Sequence, residues 1–357
     1  MSQLKVNTIR HTGASSDAVT LASDGTCTAN ITNPRSFRNL IINGACLVNQ
    51  HSNASAVTSG YPIDRVHIEG FTGGGTGTGQ QVSDGPSGFI KSLKVTVTGT
   101  DTSLAASDYY TLRHIIEGQN VAFLGFGASG GTSVTLSFWV KSSVTGTFCA
   151  SLGNGSNNRT MPKEYSISSA NTWEKKSLTF PADTTGTWGT DEGRGFSVRW
   201  CMGVGSARTG TADTYNASEA HGTSNQTNLF ATNGATFQIT GLQLEAGSIA
   251  TDFEHKKYAD ELQHCKRYYQ SLGSGSNVVI RNAIKNNGDR IMGPLLPVSM
   301  RATPTCTSAA NLVEFSSGTN RSVSSFESIH NEGGGYIQLG AAITNGVYWL
   351  VQYSAEL

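Results

Sequence analysis

Catalysis needs acids, bases, nucleophiles or metal ligands that converge, so the side chains capable of chemistry come first. The eight histidines are scattered along the 357 residues. No His-x-x-x-His or His-Glu-x-x-His occurs, and His255 and His264 are badly spaced to share a metal. No Asp-x-Asp array supports calcium either, so no metal and no cofactor is assigned. Gly73-Gly74-Gly75-Thr76-Gly77-Thr78-Gly79 has the glycines of a phosphate loop without its Gly-Lys-Ser/Thr ending, and a flexible surface loop is expected there. One acidic cluster remains, Asp183, Asp191 and Glu192 around Trp188, which a glycan-cleaving enzyme could use as a carboxylate pair. A solvated loop beside a packed Trp is the plainer expectation, and no catalytic residue is assigned.

Recognition of a sugar asks for different groups. Exposed aromatic rings stack on pyranose faces while amides and carboxylates grip the hydroxyls. Trp139 and Trp200 fall inside alternating stretches and are expected in the core, and Trp173 at the start of a strand. Trp188 lies in a Gly/Thr loop, and Tyr215 and His221 lie in the long polar stretch from Gly203 to Asn228. Tyr336, Tyr348 and Trp349 sit in an expected C-terminal hairpin turning at Thr344-Asn345-Gly346. Strand parity sends Tyr348 and Trp349 to opposite faces. These six are the candidate glycan-binding residues.

The elements that must position them are strands. Charged residues make up only 14% and glycines number 42, which suits short strands and many turns rather than helices. Apolar residues reach 37% and recur in alternation, which sets the chain apart from a disordered one. Ile90–Thr98, Val134–Lys141, Glu174–Phe180, Phe196–Trp200 and Ala235–Thr240 all carry the period of two. No fixed repeat length appears, so a jelly-roll-like β-sandwich is expected over residues 39–255, with its first strand at Arg38–Ala45. Residues 1–38 read as an extended attachment segment of two brief strands, too short to bury a core. Tyr258, Leu262, Cys265 and Tyr269 fall at helical spacing, predicting a linking helix over 256–271 capped by Asp252 or Thr251. A small β domain follows over 272–357. The fold class is all-β.

Twenty-five basic residues balance 25 acidic ones without a basic footprint, so no nucleic-acid partner is implied. The six cysteines are never closer than 19 residues, which argues against zinc and for free, mostly buried thiols. No stretch approaches the ~18 apolar residues of a membrane helix, and no apolar run follows Met-Ser-Gln-Leu-Lys-Val. Synthesis in a host cytoplasm without membrane insertion is the expectation.

Several motifs together resemble phage tail-fibre and virion structural proteins. They are Asn39-Leu40-Ile41-Ile42-Asn43-Gly44, Tyr61-Pro62-Ile63-Asp64-Arg65, Ser137-Phe138-Trp139-Val140-Lys141 and Asn171-Thr172-Trp173-Glu174 with Gly186-Thr187-Trp188. A closing run, Ile239-Thr240-Gly241-Leu242-Gln243-Leu244-Glu245-Ala246-Gly247 with Thr251-Asp252-Phe253-Glu254, resembles the end of such a domain. Cys265-Lys266-Arg267-Tyr268-Tyr269 and Pro297-Val298-Ser299-Met300-Arg301 resemble a small C-terminal fibre domain, and Val6-Asn7-Thr8-Ile9 resembles an attachment segment. The resemblance implies a carbohydrate-binding-module-like jelly roll, a homotrimer, attachment to other virion proteins through the N-terminus, and location in the phage particle. Adhesion to a bacterial surface glycan is the function expected. A purely structural connector or decoration protein, and a glycan depolymerase, are the alternatives.

Overall fold

The computed structural model describes residues 6–10, 12–13, 18–21, 23, 27–29, 38–51, 55–71, 74–272, 279–280, 290–292, 295–308, 312–314, 320–321, 323–333, 336–339, 347–348 and 351–357. The chain is all-β, with one α-helix among the described residues.

Three short antiparallel strands open it: β1 (Thr8–Ile9), β2 (Val19–Leu21) and β3 (Cys27–Ala29), one more than expected. Several apolar side chains of this segment find no core. Val6, Leu21 and above all Ile9, 56% exposed, face solvent.

The central domain is built from β4 (Gly60–Ile63), β5 (Val66–Glu69), β6 (Thr76–Val82), β7 (Ser92–Gly99), β8 (Tyr109–Glu117) and β9 (Val134–Ser142). It continues with β10 (Gly146–Asn154), β11 (Thr160–Ile167), β12 (Glu174–Phe180), β13 (Arg194–Val204) and β14 (Thr236–Ala246). Six strands form one antiparallel sheet in the order β11-β10-β13-β8-β5-β4, and five form the other in the order β12-β9-β14-β7-β6. Alternate side chains of both sheets make one core, among them Leu112, Leu136, Phe138, Phe148, Val198, Trp200 and Phe237. Each such burial contributes about 1.5–3 kcal/mol. In β14 the parity changes at a bulge between Thr240 and Gln243, so Phe237 and Ile239 point inward before it and Leu242 and Leu244 after it. Gly241 sits at that bulge with φ +63°, where a Cβ would lie 2.8 Å from the Phe89 ring.

Three sequence expectations are corrected here. Residues 38–50 form no strand; Asn39 holds the segment against β14 through Leu242 O (3.0 Å) and Leu244 N (3.1 Å). The glycine-rich stretch is largely β6 rather than a flexible loop, and Gly77 faces inward because the Phe230 ring occupies the space a side chain would need. The helix α1 covers only Tyr258–Lys266. Its N-cap is Lys257 without a side-chain cap, because Thr251 donates instead to Glu245 (2.7 Å).

After α1 come three small antiparallel sheets. Residues 269–272, 351–354 and 305–308 form the first. Among the described residues the expected hairpin pairing is not found, and its turn at 344–346 lies outside them: Tyr336–Leu339 pairs with Arg290–Met292 and Val323–Glu327, whereas Val347–Tyr348 pairs with Val279–Ile280 and Leu312–Glu314.

Candidate functional site

The core parity of β5, β8 and β13 sends His67, Glu69, Thr111, Arg113 and Arg199 to the outer face of the six-stranded sheet. There they form a charged floor. Glu69 accepts from Arg113 Nη1 (2.7 Å), Arg199 Nε (3.1 Å) and the Thr111 hydroxyl (3.1 Å). Arg199 is fully buried and reaches on to Asn157 Oδ1 (3.2 Å) and Glu219 Oε1 (3.4 Å). Burial alone would raise the Glu69 carboxyl, but Arg199 and Arg113 outweigh it and hold it below the usual range.

The stretch after β13 folds back over this sheet and makes one wall. Thr227 N bonds Thr147 O (2.7 Å), Thr160 Oγ1 bonds Ser218 O (2.6 Å), and Gln226 bonds Cys201 O (3.3 Å). It carries Arg208, Glu219 and His221 to the floor. Glu219 pairs with Arg208 and with His221 (3.2 Å); the His221 hydrogen bond is the main reason its carboxyl falls to about 2. Tyr109 meets His221 edge-on at 4.6 Å.

The opposite wall is C-terminal. Glu356 pairs with Arg65 and His51, and His51 stacks between Tyr269 (3.5 Å) and Tyr61 (4.7 Å). Tyr61 in turn meets His67 edge-on at 4.9 Å. Below, Glu117 takes a bidentate pair from Arg267 (2.9 Å each) and the Tyr268 hydroxyl, which pins the end of α1 to β8. The result is a largely buried Arg/Glu/His network on the outer face of the six-stranded sheet, bordered by Tyr61 and Tyr109 and, on two sides, by distant parts of the chain.

The six candidates from the sequence behave differently. Trp188 is 7% exposed, a correction to its expected loop exposure: it packs against Phe126, Phe196 and Tyr215 and donates to Asp183 Oδ2 (3.3 Å). Tyr215 is half-buried, and its hydroxyl donates to Pro181 O (2.9 Å). His221 is fully buried and meets this face through Glu219 and Tyr109. Tyr336 and Tyr348 lie on strands whose side chains fall outside the described residues, as does Trp349 altogether. The acidic cluster is not a facing pair. Asp183 is clamped by Arg159 through two 2.7 Å bonds, while Asp191 turns back on Gly193 N (3.0 Å) in an exposed loop. Among the described residues no group of three or more His, Cys, Asp or Glu is placed to hold a metal. Among them, too, no helix is long and apolar enough to cross a membrane.

Sequence reasoning missed Glu69, Arg113, Arg199 and Glu219, which only the sheet order brings together. It also misplaced Trp139. That ring sits half-buried on the outer face of the five-stranded sheet, near Lys141, whose ammonium lies 5.0 Å over Trp173. The signal was present, since Trp139 shares its parity with Thr135, Ser137 and Lys141.

The sequence matches no family model and no curated protein. Among solved structures the chain is similar to the enzymatically active domain of bacteriophage CBA120 tailspike protein 4, at 14% identity and a TM-score of 0.30, over 58% of this chain and 21% of that one. It is also similar to a family 11 carbohydrate-binding module of a Clostridium thermocellum cellulosomal cellulase (13% identity, TM-score 0.27, 57% and 95% of the two chains). A third is the TmCBM61 module in complex with β-1,4-galactotriose (12% identity, TM-score 0.26, 58% and 99%). Overlaps this loose carry no argument about function, and the chain spans only about a fifth of the tailspike.

Proposed function

We propose that this chain is a non-catalytic structural component of a phage particle, a homotrimeric tail fibre or spike that adheres to a bacterial surface glycan through the outer face of its six-stranded sheet. The observation that carries the reading is the charged face of that sheet together with the tyrosines beside it. Tyr61 and Tyr109 border a floor of fixed carboxylates and guanidinium groups, the chemistry that grips sugar rings and their hydroxyls. The exposed apolar side chains of the N-terminal strands support attachment, because such a segment needs copies of itself or another virion protein to cover it. Three such faces per fibre would turn weak single-site binding into firm adhesion.

A connector without receptor binding is favoured by one observation: Glu69, Arg199 and Glu219 satisfy one another, as a purely structural network does. Light scattering of the purified chain, with and without residues 1–38, together with its binding to a panel of bacterial surface polysaccharides, tests the two readings. A trimer that binds and loses binding on Tyr61→Ala supports adhesion. A trimer that binds nothing supports the connector, and a monomer in both forms overturns the fibre.

A further inference from the structure

At the bulge of β14 the five-stranded sheet carries an aromatic cluster that plays no part in the charged face. Phe89, in the loop between β6 and β7, meets Phe253 edge-on at 5.0 Å and His255 at 5.2 Å, and those two rings meet each other at 4.8 Å. A Cβ on Gly241 would lie 2.8 Å from the Phe89 ring and 3.0 Å from Trp139 Cδ1, so Trp139 joins the cluster across that glycine. The loop is shaped to hold Phe89 there. Its amide donates to Pro86 O (2.9 Å), and a Cβ on Gly85 would sit 2.4 Å from Phe89 O. Next to it Ile90 stands 72% exposed, and Tyr258 at the start of α1 is exposed as well. Single exposed apolar residues are ordinary, but a group of them marks a contact surface.

Where the chain enters the domain decides what covers the cluster. Arg38 Nη2 donates to Asp252 O (2.6 Å) and Asn39 N to Glu254 Oε2 (2.9 Å), so the junction with the N-terminal segment holds the residues on either side of Phe253. Nine residue steps separate Ala29 in β3 from Arg38, which bounds their distance at about 30 Å. Three chains wound together through their N-terminal strands must bring their three Arg38 positions toward a common axis, and Phe253 and its neighbours with them. The copies that cover Val6, Ile9 and Leu21 are then the copies that meet the cluster. A sugar fits it less well. Sugars ask for ring faces beside amides and carboxylates, whereas the most exposed member here is aliphatic Ile90, which gains only from an apolar partner.

We infer that this cluster is the seam between copies of the chain in the trimer, with Phe89, Ile90, Phe253 and Tyr258 of one copy packed against another copy. The inference rests on the homotrimer reading and adds a contact in the sandwich to the one expected of the N-terminal strands.

The test uses the full chain in light scattering across a dilution series, beside its Ile90→Asp variant. Because Ile90 is exposed, the substitution should leave far-UV circular dichroism unchanged, while the trimer should dissociate at a concentration at least about tenfold higher than in the parent. Ile90→Cys gives a readout that does not depend on weakening the assembly. Copper-catalysed air oxidation should join its copies into disulfide-linked dimers, and Leu295→Cys, also exposed but in the C-terminal region, is the control. A trimer of Ile90→Asp as stable as the parent, or cross-linking of Ile90→Cys no greater than that of Leu295→Cys, overturns the seam and leaves the fibre standing. Loss of polysaccharide binding by an undiminished Ile90→Asp trimer gives the cluster to a sugar and overturns the seam too. A monomeric parent overturns the seam and the fibre together.

Discussion

His114 should make this protein acid-labile in a window that its carboxylates do not control. On β8 it faces inward, opposite Val66 on one neighbouring strand and Val198 on the other. It is 1% exposed. Burial, reinforced by the charge of Arg65, drives its pKa well below the ordinary imidazole value of 6.5. The unfolded chain therefore takes up a proton that the folded chain refuses. Stability is complete above 6.5 and falls as pH drops toward the folded value. With the folded pKa far below, His114 alone costs about 1.4 kcal/mol between about pH 7.5 and pH 5.5, and about 1.4 kcal/mol per further pH unit. His67 and His221, also depressed chiefly by burial, act with the same sign. Asp64 acts with the opposite sign, because burial pushes its carboxyl up. Comparing the protein with its His114→Leu variant cancels those shared contributions. Thermal unfolding at about pH 7.5 and about pH 5.5 should show the variant losing roughly 3 °C less than the parent. Parallel losses in the two proteins, or an NMR titration that places His114 near 6.5, would refute the reasoning.

Three further outcomes follow from the same geometry. Glu117→Ala strips Arg267 and Tyr268 of their buried acceptor and should cost about 2–3 kcal/mol, less than a fully buried pair because Arg267 is 35% exposed. Denaturant unfolding measures that loss, and limited proteolysis should show earlier cleavage around 255–272. Gly44→Ala puts a Cβ 2.1 Å from the backbone oxygen of Leu242, so it should destabilise by about 1–3 kcal/mol in the same unfolding assay. The thiols of Cys46 and Cys149, pushed up by burial to about 12 and about 11, should resist a thiol reagent at about pH 8 until the chain is unfolded. Prompt labelling of either in the native protein would show that burial does not protect them.

The motifs that make the sequence resemble phage proteins turn out to be mainly positions of structural necessity. Asn43 has φ 63° and its side-chain amide bonds both Val48 O and Asp64 O (2.9 Å each). Glu245 accepts from Thr251 and Gln243, and Glu254 accepts from Asn39 N, so the closing motif ties the last sandwich strand to the segment that begins the sandwich domain. Arg267, Tyr268 and Tyr269 brace the charged face from below rather than forming its floor. A resemblance built on such residues speaks to architecture, and the ligand has to be argued from residues outside the motifs.

Strand periodicity made the sandwich legible because each sheet buries one face, so β7, β9, β12, β13 and β14 fall where the alternation placed them. Residues 38–45 misled because an apolar side chain such as Ile41 can be buried by a turn-rich segment as well as by a strand. Trp188 misled for the converse reason: a glycine-rich neighbourhood suggests solvent, yet the loop exists to fold that ring onto Phe126 and Phe196. The charged face was illegible for a deeper reason. Its floor joins Glu69, Arg113, Arg199 and Glu219, residues far apart in the chain whose adjacency depends on the order β13-β8-β5 and on the fold-back after β13. Local pattern reports which face of a strand a residue occupies, but not which strand lies beside it. A search for charged residues at outward parity on strands with an apolar inner face would have found Glu69, Arg113 and Arg199, because each interrupts a strand whose alternate positions are mostly apolar. A charged side chain held that deep against a sheet must be answered by a partner. In this protein the partners answer Glu69 and Arg199 completely, since both carboxylate oxygens and all three guanidinium nitrogens are bonded.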